Sequence, residues 1–169
     1  AAIRGLDERW GSDLELYVEA HATEQIISRM DSEDPAWKWE WGDPVENGRT
    51  GGVALRARKG RIARVERVPL AAGSPAAALV AEGRLLIVQV WPLHGRHSFV
   101  IGLSYFRVGQ TAVARQARTT HARAVFEATA ALGDLPVLLA ADWNDEHGTF
   151  PYLVGAETAG WHDVGAMRG

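Results

Sequence analysis

The sequence predicts an α+β protein with mixed β-sheets. Short runs that alternate apolar and polar residues occupy the first two thirds of the chain, and a long alanine-rich helix and a continuous apolar strand follow. Strands that come first, mostly joined as hairpins, and a helical crossover that comes later favour separate α and β layers over a doubly wound sheet. With 169 residues, the chain is long enough for one domain with its own core.

The first elements are a strand, a helix and a tryptophan-rich strand. Leu14–Val18 is a short apolar run that predicts a buried strand, and Thr23–Met30 predicts a helix that begins near its threonine. Trp37, Trp39 and Trp41 alternate with charged residues, which places the three indoles on one face of a strand. Because tryptophan buries a large apolar area, we expect a core face here rather than a platform for stacking a substrate.

The central part of the chain predicts a hairpin and a loop. Val53–Arg58 and Ile62–Val68 both alternate in character, and the turn Lys59–Arg61 between them allows the two strands to pair. Leu70–Ala78 is rich in alanine, glycine and proline, and we interpret it as a surface loop.

The second half predicts a locally parallel unit. Arg84–Trp91 and Ser98–Phe106 are strand-like runs, and Thr111–Leu132 is a long alanine-rich helix that stops at Gly133. The continuous apolar run Pro136–Ala141 then predicts a buried strand parallel to the one before the helix. Two short elements complete the pattern, a helix near Phe150–Val154 and an extended piece at Trp161–Val164.

The composition excludes several classes of protein. Hydrophobic residues make up 47% and charged residues 23%, as in ordinary globular domains. The absence of cysteine excludes a disulfide framework and any cysteine-based zinc site or nucleophile. The N-terminal segment lacks the apolar core of a signal peptide, and no apolar run approaches the roughly 20 residues that span a bilayer, so the sequence favours an intracellular location.

The net charge of −3 means that any contact with nucleic acid must depend on local basic patches. Arginines cluster at Arg56–Arg67 and at Arg115–Arg123. Because scattered surface charge is common, we expect these clusters to be solvated faces of a strand pair and a helix, with phosphate contact as the alternative.

The histidines outside the candidate motifs are not predicted to carry chemistry. His94 and His97 share a turn that lacks the further convergent ligands of a zinc hydrolase. His121 is expected on the surface of the long helix. His147 and His162 lie near the predicted cleft in the sequence, without an assigned role.

The most informative stretch is the end of the last apolar strand. The strand runs directly into Asp142, Trp143, Asn144 and Asp145, and the carboxyl end of a strand is a suitable place for a cleft. There, Asp142 would orient a water molecule or bind a metal, and the amide of Asn144 would donate to a phosphate oxygen. An ordinary turn is the alternative, because turns also favour aspartate and asparagine.

A second strand also ends in a carboxylate. Glu19 follows Leu14–Val18, and His21 comes two positions later. A glutamate at the end of a strand is a good ligand for a hard cation such as magnesium, which prefers one or two carboxylates and keeps several waters. The alternative is an ordinary exposed glutamate.

Five segments, in order along the chain, resemble motifs of the endonuclease/exonuclease/phosphatase superfamily. The most specific is Leu138–Asn144, which resembles the "lllaGDFN" signature of that superfamily. Asp13–Glu19, followed by His21, resembles its "D-x-x-x-x-Q-E-x-H" segment. The other three are Arg49–Ala54, similar to "sGGVAil"; Ser104-Tyr105, similar to a strand that ends in tyrosine; and Gly160–Asp163, similar to "GW-x-D".

The resemblance implies a four-layered α/β sandwich over residues 1–169, with two packed mixed sheets flanked by helices. It also implies cleavage of phosphate esters that depends on Mg²⁺ or Mn²⁺. Glu19 and Asp142 would then bind the metal, and Asp142 would also position or deprotonate the attacking water. Asn144 would hold the scissile phosphate, and Tyr105 would donate a hydrogen bond to it. Two further residues are expected nearby, His21 and Asp163.

The predicted function is that of a metal-dependent phosphodiesterase acting on nucleic acid. The pattern is most similar to AP endonucleases, DNase-like enzymes and the nuclease domains of LINE-type retroelements. Lipid or inositol phosphates are the alternative substrates, because loops rather than the shared metal site decide the substrate.

Departures from the family pattern suggest a second hypothesis. Val18 replaces glutamine, Ala141 replaces glycine, and Ala2 stands where the family has asparagine. The final strand and its Ser-Asp-His motif are expected beyond Asp163 and are not found before Gly169. The alternative is therefore a weak or inactive remnant that folds or binds phosphodiesters without turnover, with activity at least on the order of hundreds-fold below that of an intact relative.

Overall fold

The computed structural model describes residues 11–44, 52–145 and 150–163. The expectations for Ala2, Arg49–Gly51, His147 and Val164 lie outside these residues. In chain order, the elements are β1 (Leu14–Val18), α1 (Glu24–Glu33), β2 (Trp37–Trp41), β3 (Val53–Arg58), β4 (Ile62–Arg67), α2 (Pro75–Ala81), β5 (Leu85–Pro92), β6 (Phe99–Tyr105), α3 (Ala112–Ala130), β7 (Val137–Asp142) and α4 (Pro151–Thr158).

The strands form two sheets. The three-stranded sheet has the order β1-β3-β2 and is antiparallel. The four-stranded sheet has the order β4-β5-β6-β7, and its only parallel pair within the described chain is β6 with β7. Because α3 joins β6 to β7, the predicted parallel unit with a helical crossover is confirmed.

The main core lies between the two sheets, where apolar side chains alternate inward from each strand. A second apolar cluster packs the other face of the four-stranded sheet against α2 and α3. On the far side of the three-stranded sheet, α1 contacts β2. The result is the predicted α+β sandwich of two packed sheets flanked by helices. Core residues buried between the sheets include Val53, Leu55, Val65, Val88, Ile101 and Leu103.

The predicted hairpin between β3 and β4 is wrong. Both edges of β3 are already occupied, by β1 and by β2, so β4 pairs with β5 in the other sheet. Only an isolated bridge joins Lys59 to Ile62 near the turn. The chain therefore crosses from one sheet to the other here, and Val65 faces Val53 and Leu55 across the core.

The predicted loop at Leu70–Ala78 is also wrong in its second half, where α2 begins. The side chain of Ser74 accepts a hydrogen bond from the amide of Ala77 at 3.1 Å, and Pro75 occupies the first turn. A serine cap followed by proline is a helix start, because proline at that position loses no helical hydrogen bond.

The tryptophans of β2 do not face the other sheet. Trp37 and Trp39 are buried, as expected, but on the outer face of the three-stranded sheet beside Arg56. Arg56 is 0% exposed, so the expectation of a solvated face is wrong for this arginine. Its guanidinium donates to Glu15 at 2.8 Å and to Asp34 at 2.8 Å. We call these five residues the Arg56 cluster.

None of the helices in the described ranges has both the length and the apolar character that crossing a bilayer requires.

Candidate active site

The strands β1, β6 and β7 end at the same edge of the sandwich, beside Glu19, at Tyr105 and at Asp142. We call this edge the rim. Val18, at the end of β1, pairs with Val53 at the start of β3. The amide of Gly52 donates to the carbonyl of Gly83, just before β5, at 3.0 Å and so ties the two sheets together. Gly52 has a φ of 91°, and a Cβ there would lie 3.0 Å from the amide nitrogen of His21. Glycine is therefore required at this point of the rim.

Tyr105 lies beside both carboxylates predicted to bind the metal, Glu19 and Asp142. Its hydroxyl donates a hydrogen bond to Oε1 of Glu19, which follows β1. Tyr105 and Asp142 are paired in the parallel register of β6 and β7, so their side chains leave the sheet on the same face. The structure thus brings Glu19, Tyr105 and Asp142 together from three different strands.

The electrostatic environment keeps Tyr105 protonated. Burial raises the pKa of the Tyr105 phenol to about 12, with further contributions from the hydrogen bond to Glu19 and from the charges of Glu19 and Asp142. The cation of Arg84 opposes this shift. Near neutral pH, the hydroxyl is therefore a hydrogen-bond donor and not a base.

The loop after β7 is held to the loop after β6. The amide of Asn144 donates to Oδ1 of Asp142 at 3.2 Å, and its side-chain Nδ2 donates to the carbonyl of Phe106 at 2.9 Å. An amide nitrogen carries two hydrogens, so the contact with Phe106 occupies one of them. Asn144 therefore joins the two strand ends in addition to lying beside Asp142.

Backbone strain is concentrated at the rim. Among the described residues, the only non-glycine residues with positive φ are Glu19 at 54°, His21 at 46° and Asn144 at 51°. All three were singled out in the sequence. Such conformations cost about 1–3 kcal/mol each and persist where surrounding contacts hold them, as at functional sites.

The two residues expected near the site lie in different places. His21 follows Glu19 at the rim, and its buried Nδ1 has no hydrogen-bond partner within the described residues. Asp163 instead lines a groove of about 960 Å³ formed by β7, α3 and α4, together with Leu138, Trp143 and His162. His94 and His97 are exposed in the turn between β5 and β6.

Two residues of α3 support the rim and were not identified from the sequence. Arg118 and His121 are buried, so the expectation of a solvated face is wrong for Arg118 and the expected surface position is wrong for His121. They lie on the same helical face as Ala122 and Val125. That spacing of three and four residues was the signal that marks the buried face of the helix.

His121 contacts Ser104 and Phe106, the two neighbours of Tyr105 in the chain, and stays neutral. Its Nε2 is 2.7 Å from the hydroxyl oxygen of Ser104, and its ring stacks on Phe106 at 4.0 Å. Burial, and then the charges of Arg84 and Arg107, lower the pKa of His121 to about 4. Because the Ser104 hydroxyl donates to the carbonyl of Arg84, it accepts from His121, which fixes the proton on Nε2.

The donor set fits a hydrated divalent cation rather than a metal held only by protein ligands. No group of three or more histidine, aspartate or glutamate side chains is arranged to hold a metal among residues 11–44, 52–145 and 150–163. Glu19 and Asp142 nevertheless both face Tyr105. Magnesium in proteins is usually bound by one or two carboxylates, and water molecules supply its remaining ligands.

Several solved structures share this fold. An endonuclease/exonuclease/phosphatase family protein from Bacteroides thetaiotaomicron has a TM-score of 0.67 and 15% identity, over 92% of this chain and 58% of that one. TDP2 of D. rerio, in complex with a single-strand DNA product, has a TM-score of 0.65 and 15% identity, over 90% and 56%. The catalytic domain of human Nocturnin has a TM-score of 0.64 and 13% identity, over 93% and 60%.

The chain thus spans 56–60% of the length of these three proteins. No protein-family model matches the chain, and no curated protein matches it. The similarity of the solved structures establishes the fold. The chain has the endonuclease/exonuclease/phosphatase fold, which confirms the architecture that its sequence motifs imply.

Proposed function

We propose that the rim is the active site of a metal-dependent hydrolase that cleaves phosphodiesters in nucleic acid. The observation that carries the proposal is the hydrogen bond from Tyr105 to Glu19, with Asp142 beside Tyr105 in the register of β6 and β7, because polar side chains from three strand ends lie together there. The strained backbone at Glu19 and Asn144 supports it, since strain of this kind persists where function requires a fixed geometry.

Glu19 and Asp142 would hold Mg²⁺ or Mn²⁺ in this site. When bound, the ion would stabilise the negative charge that develops on the phosphate oxygens. The donor chemistry of the two carboxylates supports this assignment, because a hard cation prefers carboxylate oxygens and water.

The other roles follow from the hydrogen-bonding capacity of each side chain. Asp142 accepts a proton from the attacking water or orients that water, as an ionised carboxylate can. Tyr105 keeps its proton, because burial raises its pKa to about 12, and its hydroxyl would be available to donate toward a phosphate oxygen. Asn144 directs its second amide hydrogen to the same phosphate group.

Nucleic acid is the substrate class that the comparisons favour. TDP2 of D. rerio was solved with a single-strand DNA product, and ANGEL2 is described as a 2′,3′-cyclic phosphatase in complex with adenosine-2′,3′-vanadate. Bt3783 of B. thetaiotaomicron is described as a mannosyl-6-phosphatase, so a sugar phosphate is an outcome that the test must include.

The test is a cleavage assay on the purified protein with Mg²⁺ and with EDTA. The substrates are single-stranded DNA, abasic duplex DNA, RNA, a 2′,3′-cyclic nucleotide, mannose-6-phosphate and an inositol phosphate. We expect cleavage of a nucleic acid substrate only with the metal. Asp142→Asn and Glu19→Gln should lower kcat about 10²–10⁴-fold, and Tyr105→Phe about tenfold to a hundredfold.

Matched controls lie away from the rim. Glu24→Gln removes an exposed carboxylate from the first turn of α1, and Tyr152→Phe removes a hydroxyl from α4. Both should retain the activity of the unmodified protein. Equal cleavage by Asp142→Asn and the unmodified protein would contradict the proposal. Absence of cleavage on every substrate, with retained binding of DNA, would instead support a domain that binds phosphodiesters without turnover.

A further inference from the structure

Arg118 links α3 to both loops that carry the predicted catalytic residues. Its guanidinium is 0% exposed, and Nε and Nη2 donate to Oδ2 of Asp145 at 3.2 and 3.0 Å. Nη1 donates to the carbonyl of Arg107 at 3.3 Å and to that of Gly109. One buried side chain therefore binds the segment after Tyr105 and the segment after Asp142 at the same time.

These two segments are also bonded to each other. The amide of Phe106 donates to the carbonyl of Asp142 at 3.0 Å, and Asn144 donates to the carbonyl of Phe106. Asp145 is the next residue after Asn144, so a shift of the carboxylate of Asp145 moves the peptide that carries Asn144. Arg118 is thus placed to influence the geometry of the rim through Asp145, while its own guanidinium is fully buried.

Stability alone does not account for this pair. A buried ion pair is weak support for stability, because desolvation of the two charges offsets their attraction, and an apolar pair of similar size often does as well. Two charge-assisted hydrogen bonds from one guanidinium to one carboxylate oxygen do, however, restrict direction as well as distance. That property is useful where a loop must be held in one geometry.

We propose that Arg118 is a positioning residue, which holds the loop 142–145 in the geometry that catalysis requires. The proposal rests on the function proposed for the rim. Its partner in this role is Asp145, and Asn144 is the group whose orientation they determine.

The test compares two double variants on the same helix. Arg118→Met with Asp145→Leu removes both charges of the pair, the buried one and the partly exposed one, so that neither is left without the other. Arg123→Met with Glu127→Leu removes an exposed ion pair of 2.7 Å one turn further along α3. Each protein is measured for amide exchange at Phe106 and Asn144, for kcat and KM on the nucleic acid substrate, and for its melting temperature. The single variant Arg118→Lys tests whether the charge is sufficient without the paired donors Nε and Nη2 of the guanidinium.

We expect the first double variant to fold, with amide exchange at Phe106 and Asn144 about tenfold faster or more. Its kcat should fall about a hundredfold, because a displacement of a catalytic group by about 1 Å can cost that much in rate. Its KM should change by less than about threefold. The exchange rates and kcat of Arg118→Lys should lie between those of the first double variant and the unmodified protein. The Arg123 double variant should match the unmodified protein.

Two results would overturn the positioning role. Unchanged amide exchange in the Arg118 double variant would show that the loop does not depend on the pair, whatever happens to kcat. Faster exchange with unchanged kcat would show that the loop geometry does not matter for catalysis. If the unmodified protein cleaves no substrate, the proposed function fails, while the exchange rates still report whether Arg118 holds the loop.

Discussion

The Arg56 cluster and the rim both bring two carboxylates together, but they balance the charge differently. In the Arg56 cluster, a buried guanidinium lies between Glu15 and Asp34, so the cation that neutralises them belongs to the protein. At the rim, Glu19 and Asp142 face the neutral hydroxyl of Tyr105, and neither forms an ion pair with any described residue. Carboxylates whose charge is balanced inside the protein need no external cation, and removal of their internal cation is costly, whereas two carboxylates without a protein cation can take up an external one.

The largest expected effect comes from breaking the internally balanced site. Arg56→Met should lower the free energy of unfolding by about 3–5 kcal/mol, because it leaves Glu15 and Asp34 as buried or half-buried charges without their cation. Urea denaturation measures the loss. Arg67→Met, which removes an exposed arginine 3.0 Å from Asp43, is the control and should cost less than about 1 kcal/mol. Equal losses in the two variants would show that the Arg56 cluster is no more important than a surface pair.

The second effect concerns His121, which is buried in its neutral form. The pKa of His121 is about 4 in the folded protein, against an ordinary value of 6.5. Between these values the unfolded chain binds the proton and the folded chain does not, so stability is lost as the pH falls from 6.5 toward 4. The loss should approach roughly 3 kcal/mol.

Urea denaturation of the unmodified protein and of His121→Gln, between pH 7.5 and 4.5, measures this difference. The variant should lose this part of the pH dependence and keep the part that comes from carboxylates. His162→Gln, at an exposed position, should behave as the unmodified protein does. If the free energy of unfolding had the same pH dependence in His121→Gln and in the unmodified protein, protonation of His121 would not destabilise the fold.

The smallest expected effect distinguishes the two carboxylate sites directly. At ten times the dissociation constant, Mg²⁺ should stabilise the protein by about 1.4 kcal/mol, seen as a rise of a few degrees in Tm. Glu19→Gln should abolish that rise. Glu15→Gln should lower Tm and leave the rise intact, because its carboxylate already has Arg56 as its cation. KCl at matched ionic strength controls for screening, and the same rise in Glu19→Gln would argue against a metal site at the rim.

Regular elements with a strong local pattern were predictable. The bounds of β1 and β3 are those of the apolar and alternating runs, and α3 covers the alanine-rich segment, ending at Ala130, shortly before Gly133. The start of α2 was predictable in principle, since Ser74 and Pro75 form a helix cap. It was missed because the surrounding alanine and glycine suggested a loop.

Strand pairing and the burial of charged residues were not predictable in the same way. A short turn and two alternating strands fit a hairpin, yet β3 lies between β1 and β2 and has no free edge for β4. Arg56 and Arg118 would be expected on the surface, because arginine is rarely buried. They are buried because carboxylates distant in the sequence, such as Glu15 and Asp145, reach their guanidinium groups only after folding.

The candidate residues of the rim depend both on the local sequence pattern and on the tertiary structure. The amino-acid sequence by itself determined that strands end in Glu19, Tyr105 and Asp142, because local pattern places polar groups after apolar runs. Only the tertiary structure decided that these ends meet, since β1 and β6 belong to different sheets and come together by packing. The pKa of Tyr105 also depends on that packing, because burial raises it and because the carboxylate that accepts its hydrogen bond lies 86 positions earlier in the chain.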